Sequence, residues 1–97
     1  MTFRHAVLIN FKSDADESYR AKVAHTVNAL PGAIPQVRAV ACGTDAGVTA
    51  GSSDFAIIVD LDSADDYAQY ESHQAHRDLV DLIRQGVDSR TVVDFQF

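Results

Sequence analysis

Between residues 3 and 11 the chain alternates: Phe3, His5, Val7, Ile9 and Phe11 fall on one side, and Arg4, Ala6, Leu8 and Asn10 on the other. Period two, with aromatic and β-branched residues, predicts a strand. Its odd side is the more apolar and is expected to face a core. Tyr19, Val23, Val27 and Leu30 then recur at helical spacing. Ser13 and Asp14 offer N-caps for this helix, and Asp16 and Glu17 suit the positive end of its dipole. Pro31 and Gly32 are expected to stop it. His25 lies off the apolar stripe and reads as a solvated surface residue. Val37 to Thr44 is a second, weaker strand, and the Gly-, Ser-, Thr- and Ala-rich stretch from Gly43 to Ser53 reads as a mobile hairpin loop. Asp54 to Leu61 is the third strand, with Phe55, Ile57, Val59 and Leu61 opposite Ala56 and Ile58. Ser63 with Asp66 forms a capping box for a second helix. Tyr67 and Tyr70 lie one turn apart on it, and a further helical piece from about His76 carries Leu79, Leu82 and Ile83 and ends at Gly86. Thr91 to Phe97 is the last strand, with Thr91, Val93, Phe95 and Phe97 on one face.

The order β-α-β-β-α-β predicts an α+β, ferredoxin-like fold: a four-stranded antiparallel sheet with helices on one face, in a single domain spanning residues 1–97. Such a short chain buries only about 60–65% of its unfolded surface, so help from a partner chain is expected. The uncovered sheet face would carry Ala6, Leu8, Val40, Cys42, Ala56, Ile58 and Val92. That patch exceeds what a soluble monomer usually exposes, and a twofold homodimer through this face follows.

Charge narrows the partners. With 8 Lys and Arg against 14 Asp and Glu, the net charge of −6 argues against nucleic acid or an anionic membrane. The single Cys42 forms no internal disulfide, which suits a reducing cytoplasm. The apolar run from Ala6 to Ile9 is too short for a signal peptide, and no run approaches the ~20 residues of a membrane span.

The candidate chemistry clusters late. Tyr70 to His76 reads Tyr-Glu-Ser-His-Gln-Ala-His and holds two of the four histidines. An imidazole titrates near neutrality and serves as a base; a phenol donates to a developing oxyanion. Tyr70 and His76 are six residues apart, which on a straight helix puts them on different sides; they meet only if the helix breaks near His73. His5, from the covered face of the first strand, would join them at one cavity, with Val7, Phe55, Ile57, Tyr67 and His73 lining it. Asp94 falls on the even face of its strand, so its carboxylate is expected to point away. Plainer roles compete: a core imidazole for His5, a cap for His73, packing for Tyr70, a structural hydrogen bond for His76. His73 and His76, with His5, could be metal ligands, but zinc helices favour i, i+4, and no carboxylate or cysteine has ligand spacing. No nucleotide-binding glycine motif or serine or cysteine triad is readable, so neither cofactor nor metal is expected.

His5 followed by Ala-Val-Leu-Ile-Asn-Phe-Lys, the turn from Leu30 to Pro35, Asp54-Phe55-Ala56-Ile57, Tyr70 to His76 and Val92-Val93-Asp94-Phe95 together resemble the stress-responsive A/B barrel (Dabb) domain family. The resemblance covers essentially the whole chain and implies a dimeric α+β barrel of paired sheets. It also implies a site, because a plant polyketide cyclase of this family closes a linear tetraketide by intramolecular aldol condensation without metal or organic cofactor. That enzyme's Tyr–His pair matches Tyr70 and His76, and a further pocket histidine matches His5. The chain departs from the family twice: Gln74 stands where proline is common, and Phe55 stands where the cyclase has a histidine. Three functions follow as expectations: a cofactor-free enzyme with His76 as base assisted by Tyr70 and His5, a non-catalytic module binding a small organic ligand or serving a stress response, and a purely structural dimer.

Overall fold

The computed structural model describes residues 1–97. The elements in order are β1 (Phe3–Phe11), α1 (Glu17–Asn28), the short α2 (Leu30–Ala33), β2 (Val37–Thr44), β3 (Phe55–Leu61), α3 (Tyr67–Ser72), α4 (Gln74–Gly86) and β4 (Val87–Gln96). The strands form one antiparallel sheet in the order β2-β3-β1-β4, the ferredoxin-like arrangement. The covered face presents Val7, Ile9, Phe55, Ile57, Val59 and Leu61 to Val23, Val27, Leu30, Ile34, Leu79 and Leu82, all buried in one core. No helix is long and apolar enough to cross a membrane.

Several element ends differ from the sequence expectation, each for a local reason. Asp16, rather than Ser13 or Asp14, caps α1, because its carboxylate accepts from the Tyr19 amide at 2.8 Å. The helix stops at Asn28, and Pro31 and Gly32 sit inside α2 instead of terminating α1; proline is tolerated there because the first helical amides need no intrahelical partner. Ser63 makes no capping bond, since a 3₁₀ turn at Ala64–Asp66 intervenes before α3. The strand β4 starts at Val87, four residues earlier than the alternation of its apolar half suggested. The hairpin loop spans 45–54, where Gly47 and Gly51 take positive φ.

Two irregularities change which residues face the helices. In β2 the register slips between Val37 and Ala39, so Val40 pairs with Val59 and Cys42 with Ile57. Both side chains therefore lie under the helices and not on the outer face; Cys42 Sγ sits 3.8 Å from the Ala24 carbonyl oxygen. In β4 the antiparallel register pairs odd residues of β1 with even ones: His5 with Asp94, Val7 with Val92, Ile9 with Arg90. Val92 thus belongs to the inner face, while Val93, across from Ala6, and Phe95, across from Arg4, belong to the outer one. That outer face combines Ala6, Leu8, Ala56 and Ile58 with Val93 and Phe95, and the Arg4 guanidinium grips Asp60 there through two 2.8 Å bonds.

The helices do not reach across the whole sheet. Only Val87 of β4 is even half-buried; its other residues are exposed. The inner side of β4 therefore forms an open wall facing α3 and α4, and a cleft separates them.

Candidate active site

The cleft has a volume of about 810 Å³, and its lining includes His5, Val7 and Ile57 from the sheet and Tyr67, Tyr70 and His76 from the helical arm. That volume lies in the range of small-molecule sites. The helical groups meet because the arm is broken. His73 takes φ −66° and ψ 143°, ending α3 and starting α4. Its Nδ1 accepts from the Ala75 amide at 3.0 Å, an N-cap made by an imidazole. The break therefore needs no proline at Gln74. It brings the Tyr70 and His76 rings to 4.6 Å between centroids. At the other end, Tyr19 fixes α4 against α1, its hydroxyl donating to the Leu82 and Ile83 carbonyls at 2.7 and 3.1 Å.

His5 rises from the floor, 5% exposed, with Tyr67 at 5.4 Å and Tyr70 at 6.1 Å between ring centroids. Its Nδ1 lies 2.5 Å from Asp94 Oδ1. The Asp94 carboxylate thus points into the site, contrary to the expectation from strand parity. The signal that would have placed it is the β1–β4 register, which runs unbroken from Phe3–Gln96 to Asn10–Ser89 and which no local pattern announces. A carboxylate accepts, so Nδ1 of His5 carries a hydrogen and Nε2 is the ring atom left without a protein partner. His76 is held in the same sense: its Nδ1 lies 2.9 Å from the Glu71 carbonyl oxygen, which only accepts.

Every buried side-chain nitrogen and oxygen of the protein has a hydrogen-bond partner. Tyr70, 2% exposed, and His5 are buried residues, yet neither the Tyr70 hydroxyl nor His5 Nε2 bonds to another protein group. Those two atoms therefore open onto the cleft. Burial pushes the Tyr70 phenol well above its usual range, and the nearby Tyr67 and Asp94 push it the same way, so it remains a donor at any working pH. Burial also raises Tyr67, helped by the charges of Glu71 and Asp94. His76 is pushed below its ordinary 6.5, mainly by burial and partly offset by the Glu71 carbonyl. It is neutral at pH 7, with its unshared pair on Nε2.

The structure thus brings together His5, Val7, Ile57, Tyr67, Tyr70 and His76. Two expected lining residues are elsewhere. His73 is spent on the α4 N-terminus and does not line the cleft, so the three-histidine metal set is not assembled. Phe55 packs in the core against Phe11, 5.6 Å between centroids, because position 55 stands beside Ile9 at the far end of the strand. The groups that sequence reasoning missed are the Asp94 side chain, the Glu71 carbonyl and Arg90, a residue of β4 that lines the cleft.

Solved structures share this fold. A dimeric ferredoxin-like protein of unknown function from Thermobifida fusca is 32% identical, with a TM-score of 0.91 over 100% of this chain and 92% of that one. A Dabb family protein with a ferredoxin-like fold from Mesorhizobium loti is 16% identical, with a TM-score of 0.76 over 99% and 96%. A hydroxynitrile lyase from Passiflora edulis is 16% identical, with a TM-score of 0.87 over 97% and 91%, a likeness that carries the fold alone. No curated protein matches the chain. The family model for the stress responsive A/B barrel domain matches residues 3–97, and with the geometry above it establishes that the chain belongs to that family.

Proposed function

We propose that the protein is a cofactor-free enzyme that moves a proton at carbon next to a carbonyl of a small organic molecule, in aldol-type cyclisation or a related reaction. The observation that carries the reading is the shared opening of three polar atoms onto one cleft, none of them bonded to another protein group: His76 Nε2, His5 Nε2 and the Tyr70 hydroxyl. In this reading His76 Nε2 takes the proton from carbon between two carbonyls. The C–H pair becomes the enolate, whose oxyanion the Tyr70 O–H stabilises. The enolate carbon then bonds to a second carbonyl carbon, and the imidazolium returns its proton to the new alkoxide. His5, fixed by Asp94, accepts from an enol or hydroxyl of the same molecule. A purely structural dimer has no use for an open 810 Å³ cleft onto which polar atoms without a protein partner open.

The second part of the reading is assembly. The helix-free face, with Leu8 and Phe95 each 43% exposed and Val93 57% exposed, is read as the contact with a second copy. Neighbouring structures described as dimeric support this.

The test of the chemistry is the ketonisation rate of benzoylacetone enol, followed by ultraviolet absorbance. The wild type is expected to accelerate it, and His76→Ala to remove about 10²–10⁴-fold of the acceleration. A wild type that protects against melting when benzoylacetone is added, but does not accelerate the reaction, makes the protein a ligand-binding module instead.

A further inference from the structure

The arginines divide sharply by what they bind. Arg4 grips Asp60, Arg38 bonds to Asp62 and the Pro35 carbonyl, Arg20 bonds to the Ala15 carbonyl and covers the Phe11 ring, and Arg84 faces Asp81 at 3.9 Å. The side chains of Arg77 and Arg90 make no hydrogen bond or ion pair within the protein, and both residues line the cleft. In a protein of net charge −6, two guanidinium groups without an internal partner thus stand at one cleft. Acidic side chains line the cleft too: Asp81 faces Arg84, Glu71 lies beside Tyr67, and Asp88 stands two residues before Arg90 without forming an ion pair with it.

We infer that Arg90 is a binding residue for a carboxylate, and that the ligand of this cleft is a small keto acid whose carbonyl end meets Tyr70 and whose anionic end meets Arg90. This deepens the proton-transfer reading and rests on it for the role of Tyr70. Arg90 is placed by its strand: it pairs with Ile9 on the inner face, four residues from Asp94 on the same row, about 13 Å along the backbone at ~3.3 Å per residue. A long side chain closes much of that gap, and its charge is felt at both Tyr67 and His76, while that of Arg77 is felt at neither. A guanidinium accepts a carboxylate in a fork of two N–H bonds, so it orients the ligand as well as attracting it. The Tyr70 hydroxyl, which opens onto the cleft without a protein partner, gives the second fixed point, at the opposite end of the ligand.

The probe is 3-benzoylpropionate, which carries a carbonyl and a carboxylate two methylenes apart, with its neutral methyl ester as control. Isothermal calorimetry on the wild-type protein is expected to show the acid binding at least tenfold more tightly than the ester, with the difference shrinking as salt rises. Arg90→Gln is expected to weaken the acid about tenfold and leave the ester unchanged, and Arg90→Lys to restore part of the loss. Equal binding of acid and ester, no binding of either, or a preference that survives Arg90→Gln would each overturn the inference. Benzoylacetone is uncharged, so its accelerated ketonisation by the wild type would leave the proton-transfer reading standing when the anion site falls.

Discussion

Tyr70→Phe separates a packing tyrosine from a functional one. The ring fills the core wall, 2% exposed, and phenylalanine preserves that packing. Only the hydroxyl is lost, and in the free protein it has no protein partner. An intramolecular hydrogen bond is worth about 0.5–1.5 kcal/mol, so an unmade one leaves nothing of that size to lose. For a domain of this length ~1 kcal/mol moves Tm by about 4–8 °C. Differential scanning calorimetry should therefore find Tyr70→Phe within about 2 °C of wild type. Catalysis behaves oppositely. Removing one preorganised oxyanion donor costs about 10²–10³ in rate, or roughly 2.7–4 kcal/mol of transition-state stabilisation. The expected variant is thus as stable as wild type but at least ~100-fold slower in ketonising benzoylacetone. A fall in Tm of more than about 4 °C would reveal a structural bond at this hydroxyl, and an unchanged rate would remove Tyr70 from the mechanism.

Acid should act through His76, whose folded-state value lies below its ordinary 6.5 because of burial. Above 6.5 neither folded nor unfolded imidazole is charged; below it the unfolded chain binds the proton first, so the group's contribution to stability falls with pH until the folded value is passed, as Tm against pH should show. The acid limb of the rate profile should accordingly lie below 6.5. Gly86→Ala would put a Cβ 2.3 Å from Tyr19 Cε2, displacing the ring that holds the Leu82 and Ile83 carbonyls; we expect a loss of about 2–3 kcal/mol and a Tm lower by roughly 10–20 °C in calorimetry. Ile58→Asp, at the centre of the outer face, should give a folded monomer in sedimentation velocity where the wild type sediments as a dimer; an unchanged dimer would place the contact elsewhere.

The fold was readable because each strand and helix announces its own period. The strict alternation of β1 and β3 placed Phe3 to Phe11 and Phe55 to Leu61 with their inner faces correct. The helix break was readable as a requirement, since Tyr70 and His76 do not meet on a straight helix. What failed was the assignment of faces in β2 and β4. A slip at Arg38 turned Val40 and Cys42 inward, and the β1–β4 register turned Asp94 and Val92 inward. The β2 slip has no glycine or proline to mark it, and in β4 the more apolar row, with Val93 and Phe95, is the outer one. The consequence was chemical as well as structural: the carboxylate that orients His5 and the arginine on the same row were both hidden by a one-residue shift of face.

The most direct measurement is the protonation state of the two cleft imidazoles, read by long-range ¹H–¹⁵N NMR on the ligand-free protein at pH 7.5. The account requires both His5 and His76 to carry hydrogen on Nδ1 and a lone pair on Nε2, whereas a solvated histidine favours the opposite tautomer. A His76 signal with its hydrogen on Nε2, or fully protonated, would leave the cleft without its base and contradict the mechanism.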